Sequence, residues 1–214
     1  MIAEAIRSRL RETGDGWGEV AILYRTNNQS AVVETALRRR AMPYRIYKGS
    51  SFYDHKEIKD ILAYIRLVIN PKDDEAFKRV VNYPARGIGD TTVGRIAQLA
   101  AAQGKSMWES VDALVAEAAT LGDAMQKTIA RKVTEFVNLI RSLSQVRAEK
   151  NLYDFGLELA SRTGILAQYR LENTPEATSA IDNIEELLNS MQLFTEQCEA
   201  EIRNGEREES EQPT

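Results

Sequence analysis

The chain has 214 residues, of which 43% are hydrophobic and 28% are charged, and its formal net charge is -4. This length suits one compact domain with an appendage, or two small domains. A single cysteine, Cys198, and a single histidine, His55, exclude an internal disulfide framework, a cysteine-clustered zinc site and most histidine-dependent catalytic sites.

No apolar run approaches the roughly 18 consecutive residues that a membrane-spanning helix requires. The first residues include Glu4, Arg7 and Arg9, which do not fit the pattern of a secretory signal peptide. We therefore expect a cytoplasmic protein with no membrane partner.

The net charge hides a division along the chain. Residues 1–100 contain 17 Lys+Arg and 12 Asp+Glu, a net charge of +5, whereas residues 101–214 contain 11 and 20, a net charge of -9. Because phosphate contacts supply much of a protein's affinity for DNA, a basic region is the least that DNA binding requires, and the first half of the chain provides one. A solvated charge imbalance has the same pattern, so charge alone leaves the choice open.

The first 48 residues have the pattern of a small α/β piece. The short, mostly apolar run at 19–24 is typical of a strand buried on both faces of an α/β layer. Helically spaced apolar residues at 32–37 lead into the basic triplet 38–40, which suits the last turn of a helix. The alternating segment 44–47 predicts a second strand, so we expect a strand-helix-strand unit.

From Gly49 onward the periodicity is helical almost to the C-terminus, which predicts a mainly α fold. Helices are expected at 58–68 and from Asp73 to near Pro84. Three further helix starts are indicated by capping residues, namely Asp90, Ser106 with Glu109, and Thr174 followed by Pro175. We expect residues 49–202 to form an all-helical domain and residues 203–214 an acidic, disordered tail.

The polar segment 24–30 (Tyr-Arg-Thr-Asn-Asn-Gln-Ser) lies between the first predicted strand and the helix that follows it. Loops in this position present side chains and helix N-terminal amides together, which favours binding of anions. The structural alternative is that Asn28 or Ser30 caps the helix and Arg25 pairs with a carboxylate. The residues alone leave both interpretations open.

The segment Arg86-Gly87-Ile88-Gly89 places two glycines around an apolar residue just before a predicted helix. Glycines allow a sharp turn and a close approach to another surface, and the amides at the helix start can hold a phosphate without reading base sequence. The same pattern occurs in ordinary turns between helices. It is therefore a candidate contact for the DNA backbone.

An aromatic pair precedes a densely charged helical turn at residues 52–60. Glu57 and Asp60 are not expected to face the core together, so we interpret them as salt-bridge and capping residues at the junction between the two parts of the chain. The alternative is that the aromatic pair Phe52 and Tyr53, near Lys56, stacks on a nucleic-acid base.

The sequence contains no G-x-x-x-x-G-K-[ST] phosphate loop and no acidic pair behind an apolar strand that would hold magnesium. A motor that hydrolyses ATP needs both. We therefore expect no catalytic residue, no metal site and no cofactor within this chain, and a self-contained enzyme of another class is disfavoured.

Taken in order, several segments resemble one family, the UvrD, PcrA and Rep group of superfamily 1 ATP-dependent DNA helicases. Their order and spacing make the resemblance specific over residues 19–92, and helix pattern extends it to about residue 190. The segments that carry it are Ala21 to Ser30, Pro43 to Ile46, Phe52-Tyr53, Glu57 to Asp60, Ala63-Tyr64, Arg66-Leu67, Asn82, Pro84, Arg86 to Gly89, and Asn183 to Leu187.

The resemblance implies that the chain is an internal piece of such a helicase. Residues 1–48 would belong to the RecA-like subdomain 2A, and residues 49–202 to the helical subdomain 2B. The phosphate loop and the groups that bind ATP and Mg²⁺ would lie in the parent protein outside this stretch. The implied partners are DNA, the remaining helicase domains, and repair or replication proteins.

The resemblance also implies two sets of DNA contacts. Arg25 and Asn27 would contact the track of the single strand. The duplex at the junction ahead would be contacted through its phosphates by Arg86, Gly87, Ile88, Gly89 and Thr92. The alternative is that the chain chiefly docks regulatory proteins through its acidic half, residues 101–214, with little DNA affinity of its own.

We expect the purified chain to hydrolyse no ATP, with or without DNA, because it lacks both a phosphate loop and a magnesium-binding acidic pair. Release of ADP at saturating ATP measures this, and an intact helicase of the group serves as the positive control. Steady ATP turnover that co-purifies with the chain would contradict the expectation.

Overall fold

Helices make up almost all of the regular structure in the computed structural model, which describes residues 2–24, 27–46 and 52–203. Short 3₁₀ turns at Trp17–Glu19 and Phe52–Asp54 accompany them. The α-helices in these ranges are α1 (Ile2–Thr13), α2 (Asn27–Arg38), α3 (Lys56–Ile69), α4 (Asp74–Val80), α5 (Asp90–Gln103), α6 (Met107–Ala116), α7 (Ala124–Glu149), α8 (Leu152–Arg162), α9 (Ile165–Glu172) and α10 (Pro175–Arg203). The predicted mainly α fold is confirmed.

The capping residues mark the helix starts as predicted, with one exception. The Ser106 hydroxyl accepts a bond from the Glu109 amide at 3.1 Å, and the Glu109 carboxylate accepts one from the Ser106 amide at 2.8 Å. The Thr174 hydroxyl likewise accepts from the Ala177 amide. The prediction of Asp90 as an N-cap is wrong by one residue, because the first amides of α5 bond to the Gly89 carbonyl and make Gly89 the cap.

Neither predicted strand of the N-terminal piece is present in the described residues. Residues 20–24 and 42–46 have no assigned secondary structure, and Leu23, which was expected to be buried, is 95% exposed. A strand requires a neighbouring backbone to pair with, and no backbone hydrogen bond joins these two segments. The helix between them, α2, is confirmed, whereas Tyr47 lies outside the described residues.

A small apolar cluster joins α1 to α2. Its buried members are Ala3, Leu37 and Met42, against which Ile6 and Ile22 pack. Helix α1 was not predicted, although Ile2, Ile6 and Leu10 recur at intervals of four residues, which is helical spacing.

The main core lies among α3 to α10 and includes the large buried side chains of α3, α4 and α7. Phe77 of α4 and Trp108 of α6 both pack edge-to-face against Phe136 of α7, with ring centroids 5.6 Å and 6.5 Å apart. This geometry is the favourable one for aromatic pairs. Helix α3 lies at the centre, since it contacts α4, α7, α8 and α10.

Two acidic side chains of α3 are buried together, which corrects the sequence interpretation of this helix. Glu57 is 7% exposed and Asp60 is 3% exposed. Three residues along a helix turn the chain through about 300°, so both side chains fall on neighbouring parts of one face. Asp60 accepts a bond from Arg79 Nε at 2.7 Å, and Glu57 accepts one from Asn183 Nδ2 at 2.6 Å. Their expected structural role in ion pairing is confirmed for Asp60.

The basic triplet at the end of α2 forms structural contacts. Arg38 donates to the Tyr44 hydroxyl at 2.7 Å and lies 4.6 Å from the centre of the Tyr53 ring. Arg39 donates to Gln197 of α10 at 2.8 Å, and Arg40 pairs with Glu4 of α1 at 3.2 Å. Part of the positive charge of the first 100 residues therefore belongs to arginines that contact other parts of the protein.

Arg79→Met should lower the free energy of unfolding by about 1–3 kcal/mol, because it deprives the buried Asp60 carboxylate of its shortest charged hydrogen bond. Arg66→Met is the matched control, since the Arg66–Asp73 pair at 3.1 Å is more exposed. It should cost less than about 1 kcal/mol. Urea unfolding followed by circular dichroism measures both, and equal losses would contradict the role given to Asp60.

Candidate nucleic-acid interface

The two residues predicted to contact the single strand are only partly covered by the structure. Arg25 lies outside the described residues. Asn27 is the first residue of α2, but its side chain is outside the described part of the chain. Their DNA-contacting role stays a prediction.

Residues 86–89, here named the GIG turn, form the last part of the connection between α4 and α5. Gly87 has φ +71°, a left-handed conformation that strongly favours glycine. Gly89 has an ordinary φ of -76° and caps α5. Both glycines are exposed, whereas Ile88 between them is buried in the core and anchors the turn.

Four backbone amides at this turn have no hydrogen-bond acceptor among the described residues. They belong to Gly87, Gly89, Asp90 and Thr91. Asp90 and Thr91 are the first two residues of α5, and the first amides of a helix carry partial positive charge, which favours the binding of anions. A Cβ atom at Gly87 or Gly89 would meet no other atom within 4 Å, so the space beside both residues is open.

The Asn82 side chain holds the turn from inside. Its Oδ1 accepts hydrogen bonds from the Arg86 amide at 2.8 Å and from the Ile88 amide at 3.0 Å. One carbonyl oxygen thus fixes the backbone on both sides of Gly87.

The Arg86 side chain is half-buried and directed into the protein. Its Nη1 donates to the carbonyls of Val80 and Pro84, at 3.2 Å and 3.1 Å, and its Nη2 donates to the Thr163 carbonyl at 3.2 Å. The guanidinium carbon lies 5.6 Å from the centre of the Phe136 ring. The guanidinium therefore links the turn to the junction between α8 and α9.

Thr92, the last of the residues predicted to contact the duplex, is buried, and its amide bonds to the Gly89 carbonyl at 2.8 Å. The exposed side chains on this part of α5 are instead those of Asp90, Thr91 and Arg95. Arg95 forms no ion pair within the described ranges, while the Asp90 carboxylate adds negative charge at the same helix end. Of the five predicted residues, the turn exposes the two glycines.

Tyr64 supports the chain just before the turn. Its hydroxyl lies 2.6 Å from the Tyr83 carbonyl and 3.3 Å from the Val80 carbonyl. Burial raises the pKa of Tyr64 to about 12, although the nearby Arg86 opposes this shift. The hydroxyl therefore remains a neutral hydrogen-bond donor near neutral pH.

Burial also raises the pKa of Asp60, against the opposing effects of Arg79 and Lys56. The Lys56 ammonium lies 3.6 Å from the Asp60 Oδ2 atom and 3.9 Å from the centre of the Tyr83 ring. Lys56 thus contacts residues that support the turn. Phe52, one of the two aromatic residues considered for stacking on a base, is buried.

A groove of about 660 Å³ lies at the other end of the chain, between residues 20–24, residues 42–46 and α2. It is lined mainly by apolar side chains, including Ile22, Val33 and Leu37. Two segments without regular secondary structure, which form no backbone hydrogen bonds with each other, thus border an open apolar surface.

Within residues 2–24, 27–46 and 52–203, no three His, Cys, Asp or Glu side chains are grouped in a way that could hold a metal ion. None of the helices in the same ranges has the length and apolar character needed to cross a bilayer.

Residues 1–206 match the family described as the UvrD-like helicase C-terminal domain, and the chain belongs to that family. It is 38% identical over 185 residues to DNA helicase II of Escherichia coli K12. It is 36% identical over 181 residues to the ATP-dependent DNA helicase PcrA of Bacillus subtilis. These alignments cover 86% and 85% of the chain but 25% and 24% of the relatives, so the chain spans about a quarter of their length. The predicted resemblance is confirmed.

Sequence reasoning missed the residues that shape the GIG turn. Asn82 was expected only to contribute to the family resemblance, although a polar side chain shortly before a glycine-rich turn is a recognisable signal for backbone capping. No local signal identifies the Thr163 carbonyl, which lies 77 residues away from Arg86 in the sequence.

Gly87→Ala should lower the free energy of unfolding by about 1 kcal/mol, because alanine is strained at φ +71° even though the space around it is open. Gly89→Ser is the control. Its ordinary φ accepts a side chain, and serine is a good N-cap, so its stability should equal or exceed that of the wild type. Thermal unfolding measures both, and a Gly89→Ser loss as large as that of Gly87→Ala would contradict the described turn.

Proposed function

We propose that this chain is the DNA-contacting part of an ATP-dependent DNA helicase and that the GIG turn holds phosphates of the duplex through its backbone amides. The observation that carries the proposal is the group of four amides without an acceptor among the described residues, two in the exposed turn and two at the start of α5. Backbone amides bind phosphate without reading bases, which suits a protein that moves along any sequence. Two relatives are named as DNA helicases, in keeping with this role.

The same proposal assigns each part of the chain to a subdomain of the parent helicase. Residues 1–48 would be a partial RecA-like subdomain 2A, and residues 49–202 the helical subdomain 2B. The apolar groove beside α2 and the exposed Leu23 support the first assignment, since both suit a layer completed by neighbouring strands. The predicted acidic, disordered tail, residues 203–214, lies outside the described residues except for Arg203, the last residue of α10.

The single-strand contacts and the motor chemistry belong to the same proposal. Arg25 and Asn27 would lie along the track of the single strand, close to the start of α2. ATP and Mg²⁺ would bind elsewhere in the parent helicase, because the motifs for them are absent from this sequence. This chain would then grip DNA while other domains supply the force.

A second candidate function is favoured by the outer face of α10. Asp182, Glu185 and Glu196 are exposed along this helix, together with Leu193, which is 64% exposed. An acidic face with an exposed leucine suits the docking of a basic repair or replication protein. Under this alternative, charge reversal at Glu185 and Glu196 abolishes partner binding that DNA does not compete away.

Gly89→Ser separates direct DNA contact from a purely structural role of the glycine. The serine hydroxyl would cap amides of the first turn and add bulk at the exposed surface, so affinity for DNA should fall about tenfold while stability is kept. Fluorescence anisotropy with a labelled duplex that carries a single-stranded tail, at low salt, measures the Kd.

The matched control is Ser106→Gly, which changes the cap of α6 rather than the cap of α5. It should leave the Kd unchanged although it removes a capping box. No detectable binding by the wild type, or equal affinity of the wild type and Gly89→Ser, would contradict the proposed function and leave the docking role as the better account.

A further inference from the structure

We infer that Asn82 and Arg86 are positioning residues that hold the GIG turn in its phosphate-binding shape, and that Arg86 is not itself a phosphate ligand. The inference rests on the function proposed above. It differs from the sequence-based prediction, which counted Arg86 among the direct contacts with DNA.

The pattern of amide bonding in the turn depends on Asn82. Its Oδ1 accepts from the amides of Arg86 and Ile88, which lie on either side of Gly87. The amides of Gly87 and Gly89 have no acceptor within the described ranges. Bonded and unbonded amides therefore alternate along residues 86–89. The Asn82 side chain is the acceptor for both bonded amides.

The Arg86 guanidinium is already committed to the protein. Three carbonyl oxygens accept its hydrogen bonds, and they belong to the end of α4, the loop before the turn and the residue after α8. The guanidinium carbon also lies within 6 Å of the ring centres of Tyr64 and Phe136. Both hydrogens of Nη1 are used in this way, so contact between a DNA phosphate and Nη1 would require at least one of these bonds to break.

The two possible roles of Arg86, phosphate ligand and positioning residue, depend on different properties of its side chain. A phosphate ligand acts through its positive charge, which lysine also carries. A residue that joins three carbonyls acts through the planar, multidentate guanidinium, which lysine cannot replace. The comparison of Arg86→Lys with Arg86→Gln therefore distinguishes the two roles.

The test uses the whole chain and the tailed-duplex anisotropy assay, repeated over a series of KCl concentrations. The variants are Arg86→Lys, Arg86→Gln and Asn82→Ala, each alone and combined with Gly89→Ser. Arg95→Gln is the matched control, because it removes the same charge from an exposed residue without an ion pair in the described part of the chain. Thermal unfolding identifies the variants that remain folded.

If the two residues position the turn, Arg86→Lys and Arg86→Gln weaken binding by similar factors, about tenfold each, and Asn82→Ala does so too. In the Gly89→Ser background each adds less than about twofold, because the same turn is already impaired. Arg95→Gln changes the affinity for DNA by the same factor in the wild-type and in the Gly89→Ser background.

Near-normal binding by Arg86→Lys, together with a salt slope about 0.9 shallower for Arg86→Gln, would overturn the inference and make Arg86 a phosphate ligand. Unchanged affinity of a folded Asn82→Ala protein would also overturn it, and this variant decides the matter if the Arg86 variants do not fold. If Gly89→Ser alone leaves the affinity unchanged, the proposed function itself fails and the inference fails with it.

Discussion

One polar stripe on α3 positions the helices that pack around it. Glu57, Asp60 and Tyr64 are spaced at i, i+3 and i+7 and lie on one buried face, and each bonds a different part of the chain. They reach Asn183 of α10, Arg79 of α4 and the carbonyls before the GIG turn. Because a buried polar group is costly when unpaired, each bond constrains where its partner element can pack. The arrangement of helices around α3 is therefore specified by polar pairing as well as by apolar burial.

The same polar stripe, through Tyr64, connects the core to the surface that is proposed to bind DNA. Tyr64 and the Arg86 guanidinium converge on the Val80 carbonyl, so the end of α4 and the start of the turn are held together. Ile88 then fixes the turn in the core, and the adjacent glycines are left exposed. A rigid support beneath an exposed set of amides is what backbone recognition of phosphate requires, since the amides must keep their direction before the ligand arrives.

Features that depend on neighbouring residues could be predicted from the sequence, and features that depend on distant ones could not. The Ser106 capping box and the helical periodicity beyond residue 49 are local, and both predictions are confirmed. The strand predicted at 19–24 failed because pairing requires a second backbone segment. The partner of Glu57 is 126 residues away, and one acceptor of Arg86 is 77 residues away. A local pattern therefore identified the turn, but it could not show which carbonyl groups accept the hydrogen bonds of Arg86.

The central claim is that the amides of the GIG turn bind duplex phosphates. The most direct measurement is a titration of the ¹⁵N-labelled chain with a short DNA duplex at low salt, followed through the backbone amide chemical shifts. The largest shifts are expected for the amides of Gly87, Gly89, Asp90 and Thr91. Smaller shifts are expected for Arg86 and Ile88, whose amides stay bonded to Asn82. Shifts concentrated on the outer face of α10, or spread evenly over basic surface residues with the turn unaffected, would contradict the central claim.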